Sequence, residues 1–330
     1  MPPKSDTSPN IPRFAVIGGD LRMTHLADRL AEAGCFVNLL GCGDKCLPPQ
    51  ESGALHICTT LQKATETVQA VILPLPATRD GVTVWCPRDP NCRVTLDEIA
   101  DLTYHNPDLI LYGGKLPSEF LDRIKQAHPT SHRVQDYYDS EVLQLRNAAV
   151  TAEAALMTAM QLTDSTVRDA SVAVVGYGRI GKYLSRLLRA LGADVTVAAR
   201  REEVLFEAAA EGCHPLMLTP DTPMNGLAPL LRGHPIMYNT VPAHILDREF
   251  LLGLDRDTLL IDLASAPFGV SDSDVRAASA RNGLRYLRAP SLPGSYAPRD
   301  AGRAIAECIL GMLAHRDSLD GISREGGTPT

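Results

Sequence analysis

One pattern constrains this chain more than any other, and it occurs twice. A short apolar run meets a glycine turn, a helix-period stripe, a closing glycine and a second apolar run. The first copy is FAVIGGDLRMTHLADRLAEAG, Phe14 to Gly34, followed by FVNLL at Phe36–Leu40. The second is SVAVVGYGRIGKYLSRLLRALG, Ser171 to Gly192, followed by DVTVAA at Asp194–Ala199. In the second helix Ile180, Leu184, Leu187, Leu188 and Leu191 fall on one face of a 3.6-residue repeat. Gly34 and Gly192 stand where a helix end takes the left-handed conformation at no steric cost. Strand, turn, helix and strand make a βαβ unit with parallel strands and a right-handed crossover.

More apolar runs follow each copy: AVIL at Ala70–Leu73 and LILY at Leu109–Tyr112, then PIMYN at Pro235–Asn239, TLLIDLA at Thr258–Ala264 and LRYL at Leu284–Leu287. Helical stretches at Glu203–Ala210 and Asp272–Arg281 lie between them. Near-continuous apolar strands suit sheets buried on both faces. NAAVTAEAALMTAMQL, Asn147 to Leu162, is rich in strong helix formers and reads as a linker helix. The pattern therefore predicts an α/β chain of two doubly wound, Rossmann-like domains joined by a long helix. The expected divisions are a loose tail over 1–12, a first domain over 13–146 for substrate or partner, and a dinucleotide domain over 147–299 that includes the linker. A C-terminal helix and tail over 300–330 complete the chain, the helix running from Asp300 to Ala314 and the polar tail from Asp317.

The net charge of −7 counts against nucleic acid as a partner, because phosphate binding needs a basic surface. No apolar run reaches the ~18 residues of a membrane span, and MPPKSDTSPNIP has no apolar core of a secretory signal. The expectation is a cytoplasmic protein whose eight cysteines are reduced thiols. Cys42 and Cys46 are close in sequence, with Cys86 and Cys92 further on, but there is no C-x-x-C pair and no histidine at finger spacing. No metal site is expected.

Gly176-Tyr177-Gly178-Arg179-Ile180-Gly181 is the strongest motif, because it follows a strand and opens a helix inside a βαβ unit. Gly176 permits the tight turn, Gly178 lets a pyrophosphate approach the backbone, and Gly181 lets helix and strand pack closely. A carboxylate about 20 residues on marks an NAD site, where it holds the ribose hydroxyls. Here the strand runs into Arg200-Arg201, and two guanidinium groups suit a 2′-phosphate. NADP is expected over NAD. Ligands of parallel sheets sit beyond the carboxyl ends of the strands. The next strand tips therefore add Asn239, Thr240, Val241 and Pro242, then Asp262, Leu263, Ala264 and Ser265, then Pro293.

Several segments together carry a resemblance: VIGGDLR at Val16–Arg22, ILPLPAT at Ile72–Thr78, VVGYGRIG at Val174–Gly181, NTVP at Asn239–Pro242, LIDLASAPFG at Leu260–Gly269 and APSLPGSYAPRDAG at Ala289–Gly302. In that order, from about Phe14 to Met312, the chain resembles the dipicolinate synthase A-subunit family of spore-forming bacteria. The GxGxxG piece is common to many dehydrogenases, whereas GGDxR, ILPxxAT, ASxPxG and LPGxxAP in combination are specific. RNAAVTAEA at Arg146–Ala154 and PRDAG at Pro298–Gly302 depart from the family pattern.

The resemblance implies two Rossmann-like domains, a nicotinamide dinucleotide, and oxidation of a dihydro- or hydroxytetrahydro-dipicolinate to dipicolinate. It also implies a flavoprotein-like dipicolinate synthase B-subunit as partner and the mother-cell cytoplasm of a spore former; a homo-oligomer is a further possibility. A dicarboxylate is best held by Arg, Lys or helix N-termini. Arg22 and Thr78 lie in the shared motifs, and Arg79 and Lys115 follow first-domain strand tips. With Ser265 they form the expected substrate set, the dicarboxylate lying between the Arg22/Thr78 and Ser265/Pro293 sides. No general base is assigned; His25 is considered, on what reads as an exposed helix face. Two rival readings stand: a non-catalytic NADP-binding subunit, and a D-2-hydroxyacid-dehydrogenase-like enzyme. The second is disfavoured because His244 is the only histidine in 243–300.

Overall fold

A computed structural model describes residues 11–43, 54–127, 133–219 and 231–325. Residues 1–10 of the expected N-terminal tail, Cys46, and 326–330 lie outside the described residues. The chain divides into two compact units, Met1–Gln144 with Ala297–Thr330, and Leu145–Tyr296.

In chain order the first unit holds β1 (Arg13–Ile17), α1 (Leu21–Glu32), β2 (Phe36–Leu40), β3 (Leu55–Ile57), α2 (Leu61–Thr65), β4 (Ala70–Ile72), α3 (Leu96–His105), β5 (Ile110–Gly113), α4 (Ser118–Ala127) and β6 (Val134–Asp136). All six strands are parallel, in the order β3-β2-β1-β4-β5-β6. Alternation along β1 sends Phe14 and Val16 into one buried layer and Ala15 and Ile17 into the other. Both faces are covered, which is why the strand reads as an unbroken apolar run.

A helix over Glu141–Leu162, α5, comes next. Its Leu143 belongs to the first unit's core, and Ala152, Ala155 and Ala159 to the second's. The second unit holds β7 (Ser171–Val175), α6 (Arg179–Ala190), β8 (Asp194–Ala199), α7 (Glu202–Ala210), β9 (His214–Met217), β10 (Ile236–Asn239), α8 (Arg248–Gly253), β11 (Leu259–Asp262), α9 (Asp272–Asn282), β12 (Arg285–Arg288) and α10 (Leu292–Tyr296). Its parallel order is β12-β11-β10-β7-β8-β9. In each sheet the order reverses beside the first strand of the unit, at β1/β4 and at β7/β10, and ligands of such sheets sit at that point.

The last helix, α11, spans Pro298–Glu325. The polar run from Asp317 was expected as a loose tail; instead the helix continues to Glu325. The run contains no proline before that point, and the helix is anchored upstream by its apolar stripe. Ile305, Ala306 and Ile309 are buried with Met23, Leu26, Ala27 and Leu30 of α1. Each isoleucine buried this way contributes about 1.5–3 kcal/mol. Gly302 sets the approach of the two helices, since a Cβ there would lie 2.2 Å from the Arg22 carbonyl oxygen.

Candidate functional site

In the second unit the site is built on the β7–α6 turn. Gly176 has φ +95°, and a Cβ on it would lie 2.3 Å from Thr240 Oγ1 and 2.8 Å from Val241 Cγ2. Gly181 is closer still to its neighbour: a Cβ there would lie 2.2 Å from the Gly176 carbonyl oxygen. Gly178 caps α6 without any side-chain hydrogen bond, and no atom lies within 4 Å of where its Cβ would stand. Two of the three glycines therefore close the turn, and the third keeps open the space in front of the helix N-terminus. Backbone N–H groups and the positive end of the helix dipole face that space. A pyrophosphate fits there, so the residues present suit a dinucleotide. Thr240 completes the cradle by donating its hydroxyl to the Val175 carbonyl at 3.0 Å, beside its own N–H at 2.9 Å.

The side chains of four predicted cofactor residues face elsewhere. Tyr177 is buried, and its hydroxyl donates to Glu211 at 3.0 Å. Burial first, and then the carboxylate, raise that phenol's pKa. Ile180 packs on the core beneath the sheet. Asn239 and Asp262 are fully buried and bonded to each other at 2.8 Å. Asp262 also accepts from the Ala264 and Gly269 N–H groups and from the Tyr286 hydroxyl, at 3.2, 2.9 and 3.0 Å. Four hydrogen bonds compensate the burial of that carboxylate. Asn239 and Asp262 thus fasten strand tips together, and what they can offer a ligand is backbone. Leu263, Ala264 and Pro293 are buried, whereas Pro242 and Ser265 are exposed.

At the β8 tip Arg200 and Arg201 are both exposed. Arg201 pairs with Glu203 at 3.1 Å, each side chain 68% exposed. Such a pair is worth little and yields readily to a phosphate. Arg179 is exposed at the first turn of α6. Behind the cradle, Lys182 pairs with Glu207 and Arg186 with Glu211. Sequence reasoning missed this network, and the only signal was helix spacing.

The first unit repeats the strand–glycine–helix turn with a different outcome. Asp20 caps α1, and Arg22 folds back on it, Nε to Oδ1 at 2.9 Å and Nη2 to Oδ2 at 2.9 Å. Nη2 also donates to the Leu75 carbonyl at 2.6 Å. Arg22 is 4% exposed, which corrects its expected pairing with a substrate carboxylate: its guanidinium is held within the fold and ties the β1 loop to the β4 loop.

Residues 77–95 form a roof over the β1 turn, for which the sequence offered no element. Its Trp85 carbonyl accepts from Gly19 N–H at 2.7 Å, and Trp85 N–H donates to the Ala77 carbonyl at 2.9 Å. The turn donor that would meet a phosphate is thus taken up by the chain itself. Asp80 anchors the roof by accepting from Thr83 Oγ1, Thr83 N–H, Val82 N–H and Thr78 Oγ1 at 2.6, 2.7, 2.8 and 3.0 Å. These bonds hold its carboxyl well below the usual carboxylate range.

Arg79 is exposed and stacks on Trp85, 4.3 Å from the ring centroid. Lys115, exposed with φ +52°, lies 5.2 Å from the Tyr138 ring centroid. The β1, β4 and β5 tips thus bring Arg22, Thr78, Arg79 and Lys115 to one edge of one sheet. His25 is half-buried rather than exposed, its Nδ1 3.6 Å from Asp28 and its Cβ against the Gly302 position of α11. Among the described residues no group of three or more His, Cys, Asp or Glu could hold a metal ion. No described helix is long and apolar enough to cross a membrane.

Residues 13–133 match the family model of the dipicolinate synthase A-subunit N-terminal domain. The whole chain extends that likeness: it is 29% identical over 310 residues to the dipicolinate synthase A-subunit of Bacillus subtilis, covering 94% of this chain and 98% of the relative. Along nearly its whole length this chain is similar to the dipicolinate synthase A-subunit. The crystal structure of the Bacillus halodurans A-subunit superposes with a TM-score of 0.76 at 28% identity, over 92% of this chain and 98% of that one. D-lactate dehydrogenase of Lactobacillus jensenii, solved with NAD+, shares the two-domain plan at a TM-score of 0.56 and 12% identity, over 93% of this chain and 97% of that one. That likeness is one of fold.

Proposed function

We propose that this chain is the nicotinamide-binding subunit of a dipicolinate synthase. In this reading it oxidises a dihydro- or hydroxytetrahydro-dipicolinate to dipicolinate, prefers NADP to NAD, and works in the cytoplasm with a flavoprotein-like B-subunit. The likeness to the A-subunit along nearly the whole chain supports the substrate and the partner. The observation that carries the cofactor is the open cradle at Gly178, with Arg200 and Arg201 exposed at the next strand tip. A bound nicotinamide supplies the carbon that accepts a hydride.

The chain's own residues divide the rest of the work. The α6 N-terminus and Gly178 take the pyrophosphate. Arg200 and Arg201 grip the 2′-phosphate through charge-assisted bonds. Thr240 and Val241 wall the turn toward the reacting end. On the first unit, Arg79, Lys115 and Thr78 meet the substrate carboxylates, while Arg22 fixes the loops that carry them. Aromatisation of a dihydro ring releases one hydride and one proton. The proton leaves to water, since His25 lies against α11 and Asp262 is already saturated with hydrogen bonds.

The same saturation of Asp262 favours the second reading, in which the chain binds NADP and the partner does the chemistry. Incubating the purified chain with NADP and substrate, then adding the B-subunit, separates the two. NADPH formed by the chain alone supports the first reading. NADPH formed only once the B-subunit is added, with tight NADP binding but no turnover by the chain alone, refutes it in favour of the second.

A further inference from the structure

The geometry points to a dithiol–disulfide site in the 77–95 roof, with Cys92 as the nucleophile toward a small organic disulfide and Cys86 as the thiol that resolves the adduct. The two cysteines bracket CPRDPNC, and two successive turns close that segment. Asp89 N–H donates to the Cys86 carbonyl at 3.3 Å, and Cys92 N–H to the Asp89 carbonyl at 3.1 Å. The Asp89 carboxylate accepts from Asn91 N–H at 3.0 Å, so the turn is held by its own side chain. The result is a Cys86 Sγ to Cys92 Sγ distance of 3.5 Å.

Both sulfurs are half-buried and line one cavity of about 340 Å³, walled also by Arg79, Trp85 and Arg93. Asp80 and Asp89 line it too, so two guanidinium groups balance two carboxylates and an anionic disulfide meets no net repulsion.

The environment orders the two thiols. Cys86 S–H donates to Cys92 Sγ, and Val94 N–H adds a second bond to that sulfur. Against the opposing effect of burial, these draw Cys92 down to about 7, while the bond Cys86 donates and its own burial together push Cys86 up. Thiolate, the reactive form, therefore gathers on Cys92. Cys42 nearby differs in kind. It is 3% exposed, its Sγ donates to the Gly18 carbonyl at 3.2 Å, and burial pushes its thiol up to about 12. It is a bystander.

The reaction balances with a low-molecular-weight disulfide as oxidant. Cys92 thiolate attacks one sulfur of glutathione disulfide, forming a mixed disulfide and expelling one glutathione thiolate. Cys86 then gives up its proton and attacks the Cys92 sulfur, expelling the second. Two protein thiols become one disulfide, and one glutathione disulfide becomes two glutathiones. A bond near 2.05 Å requires the sulfurs to close by about 1.5 Å. They press on the glycine turns after β1 and β2: a Cβ on Gly18 would lie 2.7 Å from Cys86 Sγ, and one on Gly41 2.6 Å from Cys92 Sγ. The site stands on its own geometry, whatever substrate the chain takes.

Trp85 is the only tryptophan of the chain and the immediate neighbour of Cys86, so a disulfide there quenches the protein's tryptophan emission. The full chain is treated with glutathione disulfide across a range of pH, alkylated, and mapped by mass spectrometry. The expected product is a Cys86–Cys92 disulfide. Its formation should lower Trp85 emission, recover with dithiothreitol, and quicken as pH rises through about 7. Cys86→Ser should retain one glutathione on Cys92, and Cys92→Ser should acquire none at Cys86. Glutathione left standing on Cys92 in the parent would overturn the proposal. So would modification of Cys86 at the parent rate in Cys92→Ser, or a disulfide to another of the eight cysteines.

Discussion

Two alanine substitutions in one turn should fail in opposite ways. In Gly181→Ala the new Cβ falls 2.2 Å from the Gly176 carbonyl oxygen, a backbone atom with little freedom to yield. Carbon and oxygen rest at about 3.3 Å, so α6 must retreat from the β7 turn by roughly 1 Å. Overpacking of this kind costs about 1–3 kcal/mol. For a folding unit of this size each kcal/mol moves Tm by roughly 2–4 °C, which predicts a fall of about 2–12 °C. In Gly178→Ala the Cβ meets no protein atom, and φ of −82° suits any residue. Only the N-cap preference for glycine over alanine is lost, about 0.5–1 kcal/mol. The Cβ does enter the space kept for the pyrophosphate, so NADPH affinity should fall at least about tenfold, or 1.4 kcal/mol. Thermal melting with and without NADPH, together with a fluorescence titration, reads both effects. NADPH at about a hundred times the parent's Kd should raise the parent's Tm, and raise that of Gly178→Ala by an amount smaller by about 1.4 kcal/mol of stabilisation. A Gly178→Ala protein that binds NADPH like the parent would show that the cradle is only a turn. An unchanged Tm in Gly181→Ala would refute the close-packing argument.

Replacing both Arg200 and Arg201 with alanine should weaken NADPH binding roughly five- to a hundredfold, about 1–3 kcal/mol, and leave NADH affinity unchanged by calorimetric titration. An equal loss for both cofactors refutes the 2′-phosphate role. Arg22→Ala should lower Tm as well as dicarboxylate binding, because it strips Asp20 and the Leu75 carbonyl of a buried partner at a cost of about 1.5–3 kcal/mol; a wild-type melt would place Arg22 outside the fold's support. Asp80 titrates well below an ordinary carboxylate in the folded chain, so its anchoring is complete above about 3.8 and is lost as pH falls beneath that value. Trp85 emission should report this loss during acid titration, and Asp80→Asn should abolish that acid step; the same step in both proteins refutes the anchor.

The buried strands were legible in the sequence because their apolar runs are unbroken. The runs at Ala70–Leu73, Leu109–Tyr112, Pro235–Asn239 and Thr258–Ala264 each contain or closely overlap an observed strand. Three strands gave no such signal. Leu55–Ile57, Val134–Asp136 and His214–Met217 lie at sheet edges, half-buried or exposed, so no apolar pattern marks them. The linker helix starts at Glu141 rather than Asn147, and Leu143 in the added turn packs into the first unit's core. That contact is tertiary and leaves no trace in local propensity.

At the site, glycine roles could be read from spacing and side-chain directions could not. GGDLR and GYGRIG announce the same local structure, and both turns form. Their uses diverge through the segment after the neighbouring strand. After β10 the chain passes through Asn239-Thr240-Val241-Pro242, whose Thr240 and Val241 wall the second turn and leave Gly178 open. After β4 the chain makes the excursion over 77–95, and Trp85 returns its carbonyl to Gly19 N–H. Asp20 and Arg22 occupy each other, where the second copy has Gly178 and Ile180 and no side-chain cap. Open space therefore survives at Gly178 in one copy, whereas protein crowds the turn in the other. Trp85, whose carbonyl takes up the Gly19 N–H, lies far along the chain from the glycines it covers, so the glycine spacing alone could not separate an open turn from a filled one.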